Sequence, residues 1–183
     1  ICAGNQATFS VTNSVATDSY IWYENGVEIS GENQNTLIVT KDHSGIYTYS
    51  VKAQNSSNCI SALASRPDTL TVLDNPSVQI TGDPFICTLD SVHLYANVND
   101  TSLVGTNTYN YDWRVYNYTL AAGSNDPIFS DATLYARYSN ANSALAMRVF
   151  AQDHPYIFTA IVTNAHGCAA TSDPYYVYVG TNP

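Results

Sequence analysis

The side chains best suited to covalent chemistry in this 183-residue sequence are four cysteines, Cys2, Cys59, Cys87 and Cys168. None belongs to a CxxC pair, so their spacing fits neither a zinc site nor a dithiol redox centre. Their even number, in a chain rich in Asn and Thr with lysine only at 41 and 52, points to an oxidising compartment and to structural disulfides. Two Asp-His pairs, Asp42-His43 and Asp153-His154, invite comparison with catalytic dyads. A dyad needs a nucleophile, and no Gly-x-Ser-x-Gly elbow or similar element accompanies either pair, so a structural hydrogen bond in a turn is the simpler reading. His93 and His166 have no companions at metal-ligand spacing. Asp74, Asp83 and Asp100 could converge on a calcium ion, but no EF-hand spacing or dense acidic cluster supports one. The expectation is therefore no catalytic residue, no metal and no cofactor.

Composition restricts the elements that hold these residues. Fifteen tyrosines, with abundant Thr, Ser, Asn and Val, suit pleated strands and turns rather than helices. A formal charge of -9 with 11% charged residues lacks the clustered Lys and Arg that a nucleic-acid surface requires. No apolar run reaches 18 residues, which excludes membrane insertion through a helix. The chain also lacks a basic start followed by an apolar stretch, so a signal peptide is expected to lie upstream or to have been removed.

The strongest internal signal is a repeat. Ala7, Phe9 and Val11 follow Cys2 at the same offsets at which Val92, Leu94 and Ala96 follow Cys87, and this alternation buries one face of a strand. Tyr20 and Trp22 in the first half correspond to Tyr111 and Trp113 in the second. Asn25-Gly26 after Trp22 marks a two-residue hairpin, because both residues tolerate positive φ. The run Asp42 to Val51 matches Asp153 to Val162, each leading to a polar turn that carries a cysteine, Cys59 or Cys168. Leu70 and Val72, or Val177 and Val179, close each unit, and Asn75-Pro76 and Asn182-Pro183 follow. The spacing predicts two domains, 1–74 and 75–183. Only the second has an opening strand, Ser77 to Gly82, ahead of Phe85-Ile86-Cys87, so the first is expected to lack its first strand and both ends to be cuts through a longer array. Trp22 to Asp42 is 20 positions and Trp113 to Asp153 is 40, so the second unit carries an insertion between its tryptophan strand and the Asp-His turn. Tyr135 to Tyr138 and Leu145 to Phe150 read as strands within it. Either Met147 and Val149 or Ala146 and Phe150 face inward, the former being favoured because it turns Arg148 to solvent.

This order of strands, with a tryptophan strand, Asp-x-x-Gly-x-Tyr and a closing strand, resembles the immunoglobulin β-sandwich. Tyr47 fits the place of the tyrosine corner, whereas Phe158 lacks the hydroxyl and must hold its turn by packing. Antibody-type domains carry cysteines within strands B and F, where this sequence has Phe9 or Val11 and Tyr49. Here the cysteines stand at the start of strand B and in the F to G turn. With "Tyr-Ile-Trp-Tyr-Glu-Asn-Gly" and "Asn-Ala-His-Gly-Cys" the chain is similar to the Ig-like or PKD-like repeats of large secreted bacterial cell-surface and adhesin proteins, many exported by the type IX route. Asp68-Thr69-Leu70 and Asp90-Ser91-Val92 resemble the short O-glycosylation motif of that bacterial group, and Asn55, Asn99 and Asn117 begin sequons that only a host with the machinery would use.

Four cysteines permit three pairings. The expected one is Cys2 with Cys59 and Cys87 with Cys168, joining equivalent points within each unit and stabilising each by about 4 kcal/mol on the chain-entropy model. The fold class is thus all-β, two tandem immunoglobulin-like sandwiches, each with one disulfide at the end of the sandwich. Trp22, Tyr47, Trp113 and Phe158 are expected in the cores. The outward face of the second unit, with Tyr116, Tyr118, Ile157, Ile161, Tyr176 and Tyr178, is unusually apolar. Either the insertion folds over it, or it is a contact surface for a neighbouring module or a glycan. The resemblance implies a non-enzymatic, extracellular structural or adhesive module of a repeat-containing surface protein or filament. A carbohydrate-binding accessory module of a secreted enzyme is the alternative. Partners would be neighbouring Ig-like modules and surface glycans, with neither nucleic acid nor membrane involved.

Overall fold

The computed structural model describes residues 1–12, 14, 19–62, 64–101, 108–117, 133–148 and 155–180. All its named elements are strands. They form two compact units, Ile1–Asp74 and Asn75–Pro183.

In the first unit β1 (Gln6–Ser10) pairs antiparallel with a strand three elements on, β4 (Thr36–Thr40), as one sheet. The second sheet has the order β3 (Val27–Glu28), β2 (Ser19–Glu24), β5 (Gly45–Gln54) and β6 (Asp68–Val72). The alternation read from the sequence builds the core: Tyr20, Trp22, Leu37, Tyr49, Leu70 and Val72 are buried, and Ala7, Phe9, Val39 and Val51 pack against them. Because successive strand residues point to opposite faces, this inward set commits the intervening residues to the outside. Asn25 and Gly26 have φ of 49° and 81° and join β2 to β3 with Glu24 opposite Val27, the two-residue hairpin that Asn-Gly predicts. The Tyr47 hydroxyl donates to the carbonyl of His43 at 3.1 Å, which is the tyrosine corner. Tyr47 itself is half-buried at the edge of the core. The hydroxyl of buried Tyr49 reaches Glu24 Oε2 at 3.1 Å, and Lys41 Nζ donates to both oxygens of Glu24 at 2.7 and 2.8 Å, so the polar tip of a core ring is satisfied.

The second unit repeats this plan with additions. Its first sheet has the order β12 (Ala144–Arg148), β9 (Ser91–Asn99) and β7 (Ser77–Gly82). Its second has β11 (Thr133–Ala141), β10 (Tyr109–Asn117), β13 (Tyr156–Asn164), β15 (Tyr175–Gly180) and β8 (Phe85–Cys87), with β14 (Ala169–Thr171) beside β13. Strand β8 lies parallel to β15, as the bridge between Cys2 and Leu73 does in the first unit. Strands β9, β10, β12, β13 and β15 thus stand where β1, β2, β4, β5 and β6 stand. Strand β7 has no counterpart among the described residues of the first unit, where β1 pairs with β4 alone. The insertion supplies β11. In β12 Leu145 and Met147 are buried and Arg148 is exposed, the favoured register. Val149, Phe150, Asp153 and His154 lie outside the described residues. Trp113, Val115 and Phe158 have no exposed area, and Ile80, Val92, Leu94, Leu145 and Val177 complete the core around them. Both tryptophans use their ring N–H in the same way: Trp22 donates to the carbonyl of Gln34 at 2.8 Å and Trp113 to that of Asn142 at 3.1 Å. Gly82 lies so close to the next strand that a Cβ there would stand 2.6 Å from the carbonyl oxygen of His93.

Each unit has its own tryptophan-centred core, so damage to one is expected to stay there. Trp113→Ala should destabilise the second unit by about 3–5 kcal/mol. In calorimetry the transition belonging to the first unit should remain in place, which fluorescence from Trp22 can identify.

Candidate functional site

The direction of the strands places the cysteines. In the first unit Cys2 bridges Leu73, just past Val72 at the end of β6, and Val72 pairs with Gly45 at the start of β5. We call this end, where the last strand finishes, the trailing pole. Cys59 follows the other end of β5: Asn55 N donates to Cys59 O at 3.0 Å, and Gln54 bridges Ile60. This is the opposite, leading pole. In the second unit Cys87 pairs with Gly180 at the trailing pole, while Cys168 follows Asn164, the last residue of β13. The chain enters that unit at the leading pole, where Ser77 pairs with Asn99 and Asn164 Nδ2 donates to Asp100 Oδ2 at 3.0 Å.

This arrangement corrects the expected disulfides. The ten residues of β5 extend about 30 Å at roughly 3.3 Å per residue, whereas bridged cysteines need Cα atoms within about 7 Å. Cys2 and Cys59 stand at opposite ends of that strand, and Cys87 and Cys168 at opposite ends of the nine-residue β13. Neither the Cys2–Cys59 nor the Cys87–Cys168 bridge forms, and a sandwich sealed by its own terminal disulfide is not what either unit is. Cys59 and Cys87 are free, exposed thiols. Cys2 and Cys168 are buried and oxidised.

The turns presenting these sulfurs match between units almost atom for atom. At the leading poles Asn55 Oδ1 accepts from Ser57 N and Cys59 N, each at 3.0 Å, and Asn164 Oδ1 accepts from His166 N and Cys168 N, again at 3.0 Å. The residue before each cysteine, Asn58 or Gly167, has φ of 62° or 82°, a conformation that Asn and Gly accept most readily. At the trailing poles Ala3 N donates to Leu73 O and Thr88 N to Gly180 O, both at 2.8 Å, and Asn5 N and Asp90 N close the turns on Cys2 O and Cys87 O at 3.1 Å. Gly4 and Leu89 both take positive φ there, 83° and 68°. For Leu89 that conformation is unusual, and its side chain is exposed. Beside Cys87 the exposed rings of Phe85 and Tyr178 stack with centroids 5.5 Å apart. Beside Cys59, Ile60 is exposed. The sequence contained these turns as Asn-x-x-x-Cys, a signal that reading the cysteines alone passes over.

The proposed contact face is only partly a surface. Ile157 is fully buried, and this corrects its assignment: it lies on the central strand β13, directly opposite Tyr116 on β10 and Tyr176 on β15, so large rings flank it on its own face. Thr159 is likewise buried. Tyr116, Ile161 and Tyr176 are half-buried and Tyr178 is 45% exposed. Tyr118 lies outside the described residues. On the same face Asp112 accepts from Arg137 Nε at 2.8 Å and lies 3.4 Å from Arg114. His43, His93 and His166 are not drawn into a metal cluster, and among the described residues no group of three or more His, Cys, Asp or Glu could hold a metal ion. No helix among them is long and apolar enough to cross a membrane.

Residues 1–73 match the family model described as "Ig-like domain CHU_C associated". Among solved structures the chain is similar to fibronectin(III)-like modules of Clostridium thermocellum CbhA, at 16% identity and a TM-score of 0.45 over 98% of this chain and 88% of that one. It is also similar to three N-terminal domains of the bacteriophage RB49 outer capsid protein Hoc, at 18% identity and a TM-score of 0.40, covering 97% of this chain and 55% of that one. For the FN1-FN3 domains of chicken CNTN1 the values are 14% and 0.42, over 97% and 65% of the two chains. No curated protein matches the sequence.

The hydrogen bond from Arg137 holds the Asp112 carboxyl below the usual carboxylate range, with Arg114 adding to the effect and partial burial opposing it. A depressed folded-state pKa contributes stability above the unfolded value, about 3.9, that is lost as pH falls through the lower folded value. Acid titration of unfolding should therefore weaken the second unit below about pH 4. Asp112→Asn should remove that part of the pH dependence while lowering stability at neutral pH.

Proposed function

We propose that the chain is a non-enzymatic structural module pair of an extracellular, repeat-containing bacterial surface protein, with neighbouring Ig-like modules as its partners. The observation that carries this reading is the repetition of one sandwich plan in which the last strand ends at the pole opposite the cysteine turn of the F-type strand. In the second unit the chain also enters at one pole and leaves at the other, the arrangement that lets modules follow one another end to end. The family match of the first unit supports a bacterial surface setting. The apolar residues around Cys87, Phe85 and Tyr178 above all, suit contact with another module better than exposure to solvent.

A glycan-binding accessory module would instead use Tyr176 and Tyr178 as stacking platforms. The Tyr178 ring already has Phe85 stacked against it. Two measurements separate the readings. Protease treatment of intact cells that make the parent protein should remove this segment from the surface, and protection of the segment would contradict an extracellular role. Replacing both units by two unrelated Ig-like sandwiches should leave surface display intact, and glycan arrays should show no binding that Tyr176→Ala and Tyr178→Ala abolish. Binding that disappears in those variants would transfer the assignment to the carbohydrate-binding reading.

A further inference from the structure

Each unit presents one cysteine at each pole, and the turns that present them are the same in both units. One sulfur of each kind is oxidised, Cys2 of the trailing type and Cys168 of the leading type. The other of each kind, trailing Cys87 and leading Cys59, is free and exposed. The free thiols therefore sit on turns whose duplicates elsewhere in the chain carry disulfide sulfur. We infer that Cys87 of one copy of this chain forms a disulfide with Cys59 of a second copy, joining the copies head to tail.

Three observations favour this partner over random oxidation. The two thiols are of opposite type and lie one in each unit, so the contact is heterologous: a joined pair of copies still holds one unused thiol of each kind, and the linkage can propagate as an open chain rather than closing as a two-fold dimer. Both sulfurs have apolar neighbours in solvent, Phe85, Leu89 and Tyr178 beside Cys87 and Ile60 beside Cys59, which a docked partner would cover. Both turns are held by backbone hydrogen bonds, so little order has to be imposed on joining. The reaction needs a disulfide oxidant such as oxidised glutathione. The Cys87 thiolate attacks it, expelling one reduced glutathione, and the Cys59 thiolate of the second copy attacks the Cys87 sulfur of the mixed disulfide, expelling the other. Two protein thiols lose two electrons in total, and one oxidised glutathione is reduced to two.

The inference builds on the module reading, yet the two fail separately, because surface protection leaves this chemistry untouched and a spacer can exist without the covalent joint. The test is incubation of the pure chain in a glutathione redox buffer, followed by non-reducing electrophoresis and peptide mapping. Wild type should give a ladder of oligomers that reductant collapses, with a Cys59–Cys87 cross-linked peptide. Cys59→Ser alone and Cys87→Ser alone should stay monomeric, and an equal mixture of the two should yield a covalent dimer and nothing larger. Circular dichroism of each variant checks that the sandwiches remain folded. Monomer only from wild type, dimers from either variant alone, or Cys59–Cys59 and Cys87–Cys87 peptides in comparable amounts would overturn the assignment.

Discussion

Strand β5 and its counterpart β13 run from one pole of their units to the other, and this direction governs what can meet what. Each is hydrogen-bonded on both sides, to β2 and β6 or to β10 and β15, so its length and orientation are fixed by two ladders at once. A group tied to its first residue and a group tied to its last are separated by the whole height of the sandwich. The inward residues of the same strand, Tyr49 in one unit and Phe158 and Ala160 in the other, sit at the centre of each core. Burial of these faces is what holds the strand in place. Core and poles are therefore a single constraint: the packing that buries Trp22 and Trp113 also holds the cysteines of a unit apart.

One consequence concerns stability. A bridge inside each small sandwich would have constrained its unfolded chain. Without it, each unit relies on the apolar interior and on satisfied polar tips such as the Tyr49 hydroxyl on Glu24 and the indole N–H groups on backbone carbonyls. The second unit adds strand β7 against β9, and the close approach at Gly82 shows how tightly that strand is laid down. In the first unit β1 has only β4 beside it among the described strands, leaving one edge whose backbone groups are open to a further strand.

Much of this was legible in the residues. Alternation around Phe9, Trp22, Leu94 and Trp113 located the strands and their inward faces, because a period of two leaves little freedom once one face is apolar. Asn25-Gly26 specified its hairpin, Tyr47 its corner hydrogen bond, and Arg148 the register of β12. The pairing of the cysteines was not read correctly. Cys2 and Cys87 occupy equivalent places, as do Cys59 and Cys168, but equivalence between units says nothing about proximity within one. Strand β4 runs opposite to β1 and turns directly into β5, so β1 and β5 start at the same pole and the turn after β5 lies at the other. Ile157 failed for a different reason: alternation identifies the face a residue occupies, and cross-strand rings such as Tyr116 and Tyr176, which only the register brings alongside, decide whether that face is wet.

The separation of each unit's cysteines can be measured directly by alkylating the folded monomer with iodoacetamide, without reductant, and mapping the peptides by mass spectrometry. Cys59 and Cys87 should be fully carbamidomethylated. Recovery of a Cys2–Cys59 or a Cys87–Cys168 peptide from the monomer would contradict the strand directions on which the account stands.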